Sequence, residues 1–203
     1  MSTSTLTELP GAELPGPGAT ADQLTQLARR DSAPLREAVA RHPNTPAGVL
    51  AQLAPDVPQA VLQNPALPLL RLAHPGEFQS WSGRTLARLA AVEAAPEWVQ
   101  ELAMRHADPQ AQWAVANRAQ LSAGRLAQLA GRSEWALRAA VAQHPDLSAE
   151  LMALLARDPD YGVRLALSGR AELPAEVLAQ LQRDPHALVR RRAQMVSTGT
   201  RPL

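Results

Sequence analysis

Four arginines recur at equivalent places in this sequence: Arg36, Arg138, Arg164 and Arg190. A guanidinium presents its donors in a planar fork that grips phosphate or carboxylate two bonds at a time. Aromatic side chains accompany the row: Trp135 and Tyr161 share one column, and Trp113 lies near the equivalent turn. Trp81 and Phe78 sit apart, in a stretch of their own. Cations beside aromatic faces can neutralise phosphates and stack bases, or hold a peptide. A basic run, Arg190-Arg191-Arg192, closes the pattern. The candidate binding residues are therefore Trp81, Trp113, Trp135, Tyr161, Arg138, Arg164, Arg190 and Arg191.

Each feature also has a structural reading. Asp31 precedes Arg36, Asp158 precedes Arg164 and Asp184 precedes Arg190. That pairing favours a ladder of ion pairs within or between repeats over a row of ligand contacts. Trp113, Trp135 and Tyr161 read first as packing between stacked units. Trp81 and Phe78 read equally as part of a binding face and as a plug in an irregular region. The Arg190-Arg191-Arg192 run suits the negative end of a helix without any partner. The five histidines are scattered; His42 and His144 fall in equivalent turns, where capping a helix C-terminus is the expected role. There is no cysteine, no glycine-rich phosphate loop, no HExxH and no nucleophile elbow. The expectation is a non-enzyme with no catalytic residue, no metal and no cofactor.

These side chains are positioned by an internal repeat. Ser122-Ala-Gly-Arg-Leu-Ala-Gln-Leu129, Ser148-Ala-Glu-Leu-Met-Ala-Leu-Leu155 and Pro174-Ala-Glu-Val-Leu-Ala-Gln-Leu181 start at intervals of 26 residues. A period of this size marks stacked helical units. Thr20, Pro46, Pro68 and Pro96 extend the series backwards, with spacings between 22 and 28. The result is seven two-helix units, an all-α solenoid. The first helix of each opens on Pro, Ser or Thr, residues suited to a helix start. The second is expected to start at Asp108-Pro109, Asp158-Pro159 and Asp184-Pro185, an N-cap followed by Pro. Its inward face is read as the triads Leu35, Ala38, Val39; Ala111, Ala114, Val115; Leu137, Ala140, Val141; and Val163, Ala166, Leu167. The middle Ala would meet the neighbouring unit at close range. Its replacement by Arg192 in the last unit would mark a polar cap. Residues 55–95 are irregular, with an insertion at 74–83.

Composition sets the remaining bounds. Hydrophobic residues make up 46% of 203, enough for a core, built from Leu, Ala and Val because Ile is absent. All twenty basic residues are Arg. That bias runs through the whole chain, so an individual Arg says little about phosphate. A net charge of +1 does not by itself point to nucleic acid. Residues 1–19 read as a flexible leader, 20–195 as the repeat domain and 196–203 as a frayed tail. No signal peptide or membrane span is recognisable, and the expected location is cytoplasmic.

Arg41-His-Pro-Asn-Thr-Pro-Ala-Gly-Val-Leu50 and Leu155-Ala-Arg-Asp-Pro-Asp-Tyr-Gly-Val-Arg164 resemble the leucine-rich repeat variant family. The resemblance covers about residues 20–195. It implies a right-handed superhelix of paired short helices, one of each pair often 3₁₀, with no strand. The founding type carries a cysteine cluster for an iron–sulfur centre, which a cysteine-free chain does not share. HEAT-like arrays are the near alternative, though their repeats commonly run to roughly 40–47 residues. The family implies a scaffold, so the expected function is protein or peptide binding. The alternative is nucleic-acid binding through the Arg and aromatic face, in the manner of HEAT-type repair arrays.

Overall fold

The computed structural model describes residues 14–197. The leader before residue 14 and the tail after residue 197 lie outside the described residues. Fifteen helices and no strand are present among the described residues. The helices run from five to eleven residues. All of these are α-helical, so the 3₁₀ segments expected from the family are not found among them. The chain divides into two compact units, one ending at Ala107 and one beginning at Asp108.

The first unit contains α1 (Ala21–Ala28), α2 (Ala33–Arg41), α3 (Ala47–Leu53), α4 (Pro58–Leu62), α5 (Leu67–Ala73), α6 (Pro75–Gln79), α7 (Gly83–Ala90) and α8 (Glu97–Arg105). Alternate helices stack in two rows: α1 on α3 and α3 on α6, α2 on α4 and α4 on α7. A broken pair, α5 and α6, stands where a regular unit would have one helix. Pro75 breaks it. It occupies the first turn of α6, and a proline has no N–H with which to continue α5. The insertion folds inward. Phe78 and Trp81 are 1% and 3% exposed, with ring centroids 4.4 Å apart, and Phe78 meets Trp98 of α8 edge-on at 5.7 Å. Burying a Phe side chain contributes ~1.5–3 kcal/mol, so these rings are core.

The second unit contains α9 (Pro109–Ala116), α10 (Ala123–Ala130), α11 (Trp135–Gln143), α12 (Ala149–Leu155), α13 (Tyr161–Ser168), α14 (Ala175–Leu181) and α15 (Ala187–Ser197). One row runs α9, α11, α13, α15, each packed on the next; α10 packs on α12 in the other.

Most expected helix starts are found. Thr20, Pro46, Pro96, Ser122, Ser148 and Pro174 all take the N-cap place. The Ser122 and Ser148 hydroxyls accept from the amides of Arg125 and Leu151. The prolines are N-caps rather than first helical residues, because their fixed φ suits the extended backbone found there. Pro68 is an exception: it lies inside α5, after the N-cap Ala66. Asp108 caps α9 as expected. Asp158 and Asp184 do not cap. Helix α13 starts two residues later, with Asp160 as its N-cap, and α15 starts at Ala187. The carboxylates of Asp158 and Asp184 are drawn instead to arginines of the preceding repeat.

The inward face of the second helices also differs from expectation. The buried sets are Leu35, Val39, Ala40; Ala111, Val115, Ala116; Leu137, Val141, Ala142; and Val163, Leu167, Ser168. Ala38, Ala114, Ala140 and Ala166 are half-buried. The small residue at close range is thus two positions beyond the one expected. In Leu137-Arg-Ala-Ala-Val-Ala142, alanines flank Val141 on both sides, and Ala carries too little apolar contrast to choose the face. Arg192 follows the half-buried column, so it does not mark a severed core.

At several junctions a side chain also caps one repeat from the next. Asn64 Nδ2 donates to the carbonyls of Ala40 and His42 at 2.7 and 2.8 Å. Arg170 donates to those of Ala142, His144 and Pro145. His144 Nδ1 accepts from the Asp146 amide, which places the proton on Nε2, 3.0 Å from the Arg118 carbonyl. His42 bridges Asn44 and Gly16 in the same way. With Ala19 accepting from Asn44, the end of the leader is tied to the first unit. The orphan carbonyls of helix ends are satisfied across repeats.

Candidate functional site

The arginine column forms a ladder. Arg138 on α11 grips Asp158 with two parallel bonds, Nε to Oδ2 at 2.6 Å and Nη2 to Oδ1 at 2.9 Å. Its Nη1 donates to the carbonyls of Arg132 and Ser133. Arg164 repeats the arrangement one unit on: a fork on Asp184, and Nη1 on the carbonyls of Asp158 and Pro159. The upstream aspartate thus offers its backbone carbonyl to the arginine six residues later. Its carboxylate serves the arginine twenty residues earlier, which corrects the simpler upstream pairing. In the first unit Arg36 reaches Asp56 and the exposed Asp31.

The electrostatics follow from this geometry. Burial opposes ionisation of Asp158, but the Arg138 fork, the Asp160 amide and the charges of Arg138 and Arg164 outweigh it. Its carboxyl is held below the usual range. Asp184 is lowered against burial in the same way, by Arg164 and the His186 amide. The hydrogen bonds to these carboxylates hold Arg138 and Arg164 above the usual guanidinium value. Neither arginine turns a free fork to solvent. Arg190 has the same Nη1 contacts, to the carbonyls of Asp184 and Pro185. Arg191 is exposed on α15.

The aromatic candidates separate. Trp81 lies in the core of the first unit, so its ring offers no face to a ligand; the plug reading holds for it. Tyr161, 49% exposed, stacks on His186 at 4.1 Å and 12°. Trp135, 48% exposed, lies across Gly162 of α13, where an added Cβ would come within 2.9 Å of the ring. Trp113 and Trp135 come together: with Ala136, Ala139, Ala140 and Gln143 they line a groove of about 570 Å³.

A second groove of about 510 Å³ adjoins the first, sharing Gln143 and Pro145. Ala166, Gly169, Arg170, Ala171, Glu172 and Arg192 complete its lining. The Arg192 guanidinium lies against the backbone of Gly169, the C-cap of α13, where a Cβ would approach its Nε to 2.5 Å. A cation there faces the negative end of the helix. No described carboxylate forms an ion pair with Arg192. The sequence pattern places two of the groove alanines, Ala140 and Ala166, in the core and singles out neither Gly169 nor Arg170 as a site residue. The sequence shows only that glycine stands at 162 and 169; that large side chains lie opposite them is tertiary.

Among the described residues no three His, Asp or Glu side chains gather as a metal site. No helix there is long and apolar enough to cross a membrane. Residues 35–58 and 135–160 match the model of the leucine rich repeat variant family. These matches include the Arg36–Asp56 and Arg138–Asp158 pairs. No curated protein and no solved structure matches the chain.

Proposed function

We propose that this chain, two stretches of which match the leucine rich repeat variant model, is a non-enzymatic scaffold that binds another protein or a peptide, with the cytoplasm as its location. The observation that carries this reading is the groove along α9 and α11, walled by small alanines and two tryptophans. Small residues leave room between helices, and exposed Trp side chains are frequent anchors at protein interfaces. The nucleic-acid alternative is weakened by the ladder, which uses the Arg138 and Arg164 forks internally. It rests on Arg190, Arg191 and Arg192.

Immobilised protein challenged with nuclease-treated lysate tests the choice. The expected result is reproducible retention of a defined protein, competed away by soluble protein. Loss of all retained protein on nuclease treatment would favour the alternative. So would duplex or single-stranded DNA binding whose affinity falls steeply with salt, since phosphate contacts release counterions.

A further inference from the structure

We infer that the paired grooves of the second unit form one peptide site, and that its ligand is an acidic segment carrying bulky apolar side chains. This inference rests on the scaffold reading and names the partner's chemistry. One end of the site is apolar: Trp113 and Trp135 flank the half-buried Ala139 and Ala140. Those alanines leave the floor open where a Leu or Phe of a ligand would fit, and tryptophans beside such a hollow exclude water from it. The other end is cationic. Arg170 and Arg192 line it against the single carboxylate of Glu172.

The two arginines are held differently. Arg170 directs its guanidinium hydrogens to three backbone carbonyls, which hold it in place but leave its charge unneutralised. Arg192 is seated against Gly169, with its fork free of any described carboxylate. A guanidinium held by packing loses less side-chain freedom when it takes a carboxylate. The apolar hollow and the free fork therefore select together. A basic segment is repelled, and an acidic one lacking a large apolar residue leaves the hollow unfilled.

Selection of a random-sequence peptide library on the full chain tests this. The expected enrichment is for peptides combining Leu, Phe or Trp with Asp or Glu. Binding of the best peptide should fall tenfold or more with Ala140→Glu, which fills the hollow with a repelling charge, and with Arg192→Glu. A copy of the peptide with its acids changed to Asn and Gln should also bind at least tenfold more weakly to the parent. That measurement stands even if a protein variant folds poorly. If acidic peptides are enriched but bind both variants like the parent, the site lies elsewhere: the groove assignment is overturned and the scaffold reading survives. Enrichment of basic peptides overturns the stated chemistry alone. If no peptide is enriched, the peptide site falls, while the scaffold reading is decided by the lysate retention; single-stranded DNA binding that Ala140→Glu abolishes would then put a nucleic acid in the groove.

Discussion

The Asp158 carboxylate accepts both ends of the Arg138 fork from the preceding repeat, while the Asp158 carbonyl accepts Nη1 of Arg164 from its own. One residue thus joins two rungs. Asp184 does the same for Arg164 and Arg190. Such a chain fixes the offset of successive units to a single value, because sliding by one residue would break every fork.

Asp158→Ala removes the partner of a fork whose two side chains are only 12% and 5% exposed, and orphans the Asp160 amide. Removing one member of a buried pair costs ~3–5 kcal/mol. Asp31→Ala, at a fully exposed carboxylate, should leave stability nearly unchanged. Urea unfolding of the two variants makes the comparison. Equal losses would mean that the inner pair is no better than a surface one.

The ladder also sets an acid limit. The carboxyls of Asp158 and Asp184 titrate lower in the folded than in the unfolded chain. Their stabilisation is therefore complete above the unfolded value of ~3.9 and is lost as pH falls through the lower folded values. Melting temperature should drop steeply below about pH 4. A variant carrying Asp158→Asn and Asp184→Asn, less stable at neutral pH, should show a shallower drop. An unchanged slope would place the acid sensitivity elsewhere.

The two alanine columns respond oppositely to enlargement. Ala142 is fully buried, so Ala142→Leu should cost ~1–3 kcal/mol or more by overpacking. Ala140 lines the groove, so Ala140→Leu should stay within ~0.5 kcal/mol of the parent. Thermal melting ranks them. The reverse order would restore the inward face expected from the sequence.

Gly162→Ala drives a Cβ against the Trp135 ring and should cost ~1–3 kcal/mol. In a Trp135→Ala background the same change should cost less, because the ring is gone and only the approach to Asp160 Oδ1, 2.9 Å from an added Cβ, remains. A double-mutant cycle without coupling would show that the ring is not what the glycine accommodates.

Much of the fold was legible because it is local and periodic. Leu126 and Leu129 sit three apart after a capping serine, and both are buried. In the next repeat Met152 and Leu155 hold the same two places, 26 residues on, and are buried as well. The helix starts at Ser122, Ser148 and Pro174 needed no long-range information, because a cap acts within its own first turn. The break in the pattern between residues 55 and 95 was equally visible, though not its consequence. Whether Phe78 and Trp81 turned inward depended on packing against each other and on Trp98 of α8, which no local signal records.

Read alone, the chain specifies the helical repeat, its 26-residue step and the recurrence of arginine and aspartate along it. It leaves open which repeat each partner belongs to. Asp158 lies six residues before Arg164 and twenty after Arg138, and spacing alone favours the nearer one. Stacking is what brings the farther one into a two-bond grip. The same holds for the groove. Ala140 and Ala142 are chemically identical, and the rotation of α11 against α9 and α13 decides which is buried and which is left to line a site. Caps and periodicity are properties of a few consecutive residues; burial and pairing across repeats belong to the packed helices together.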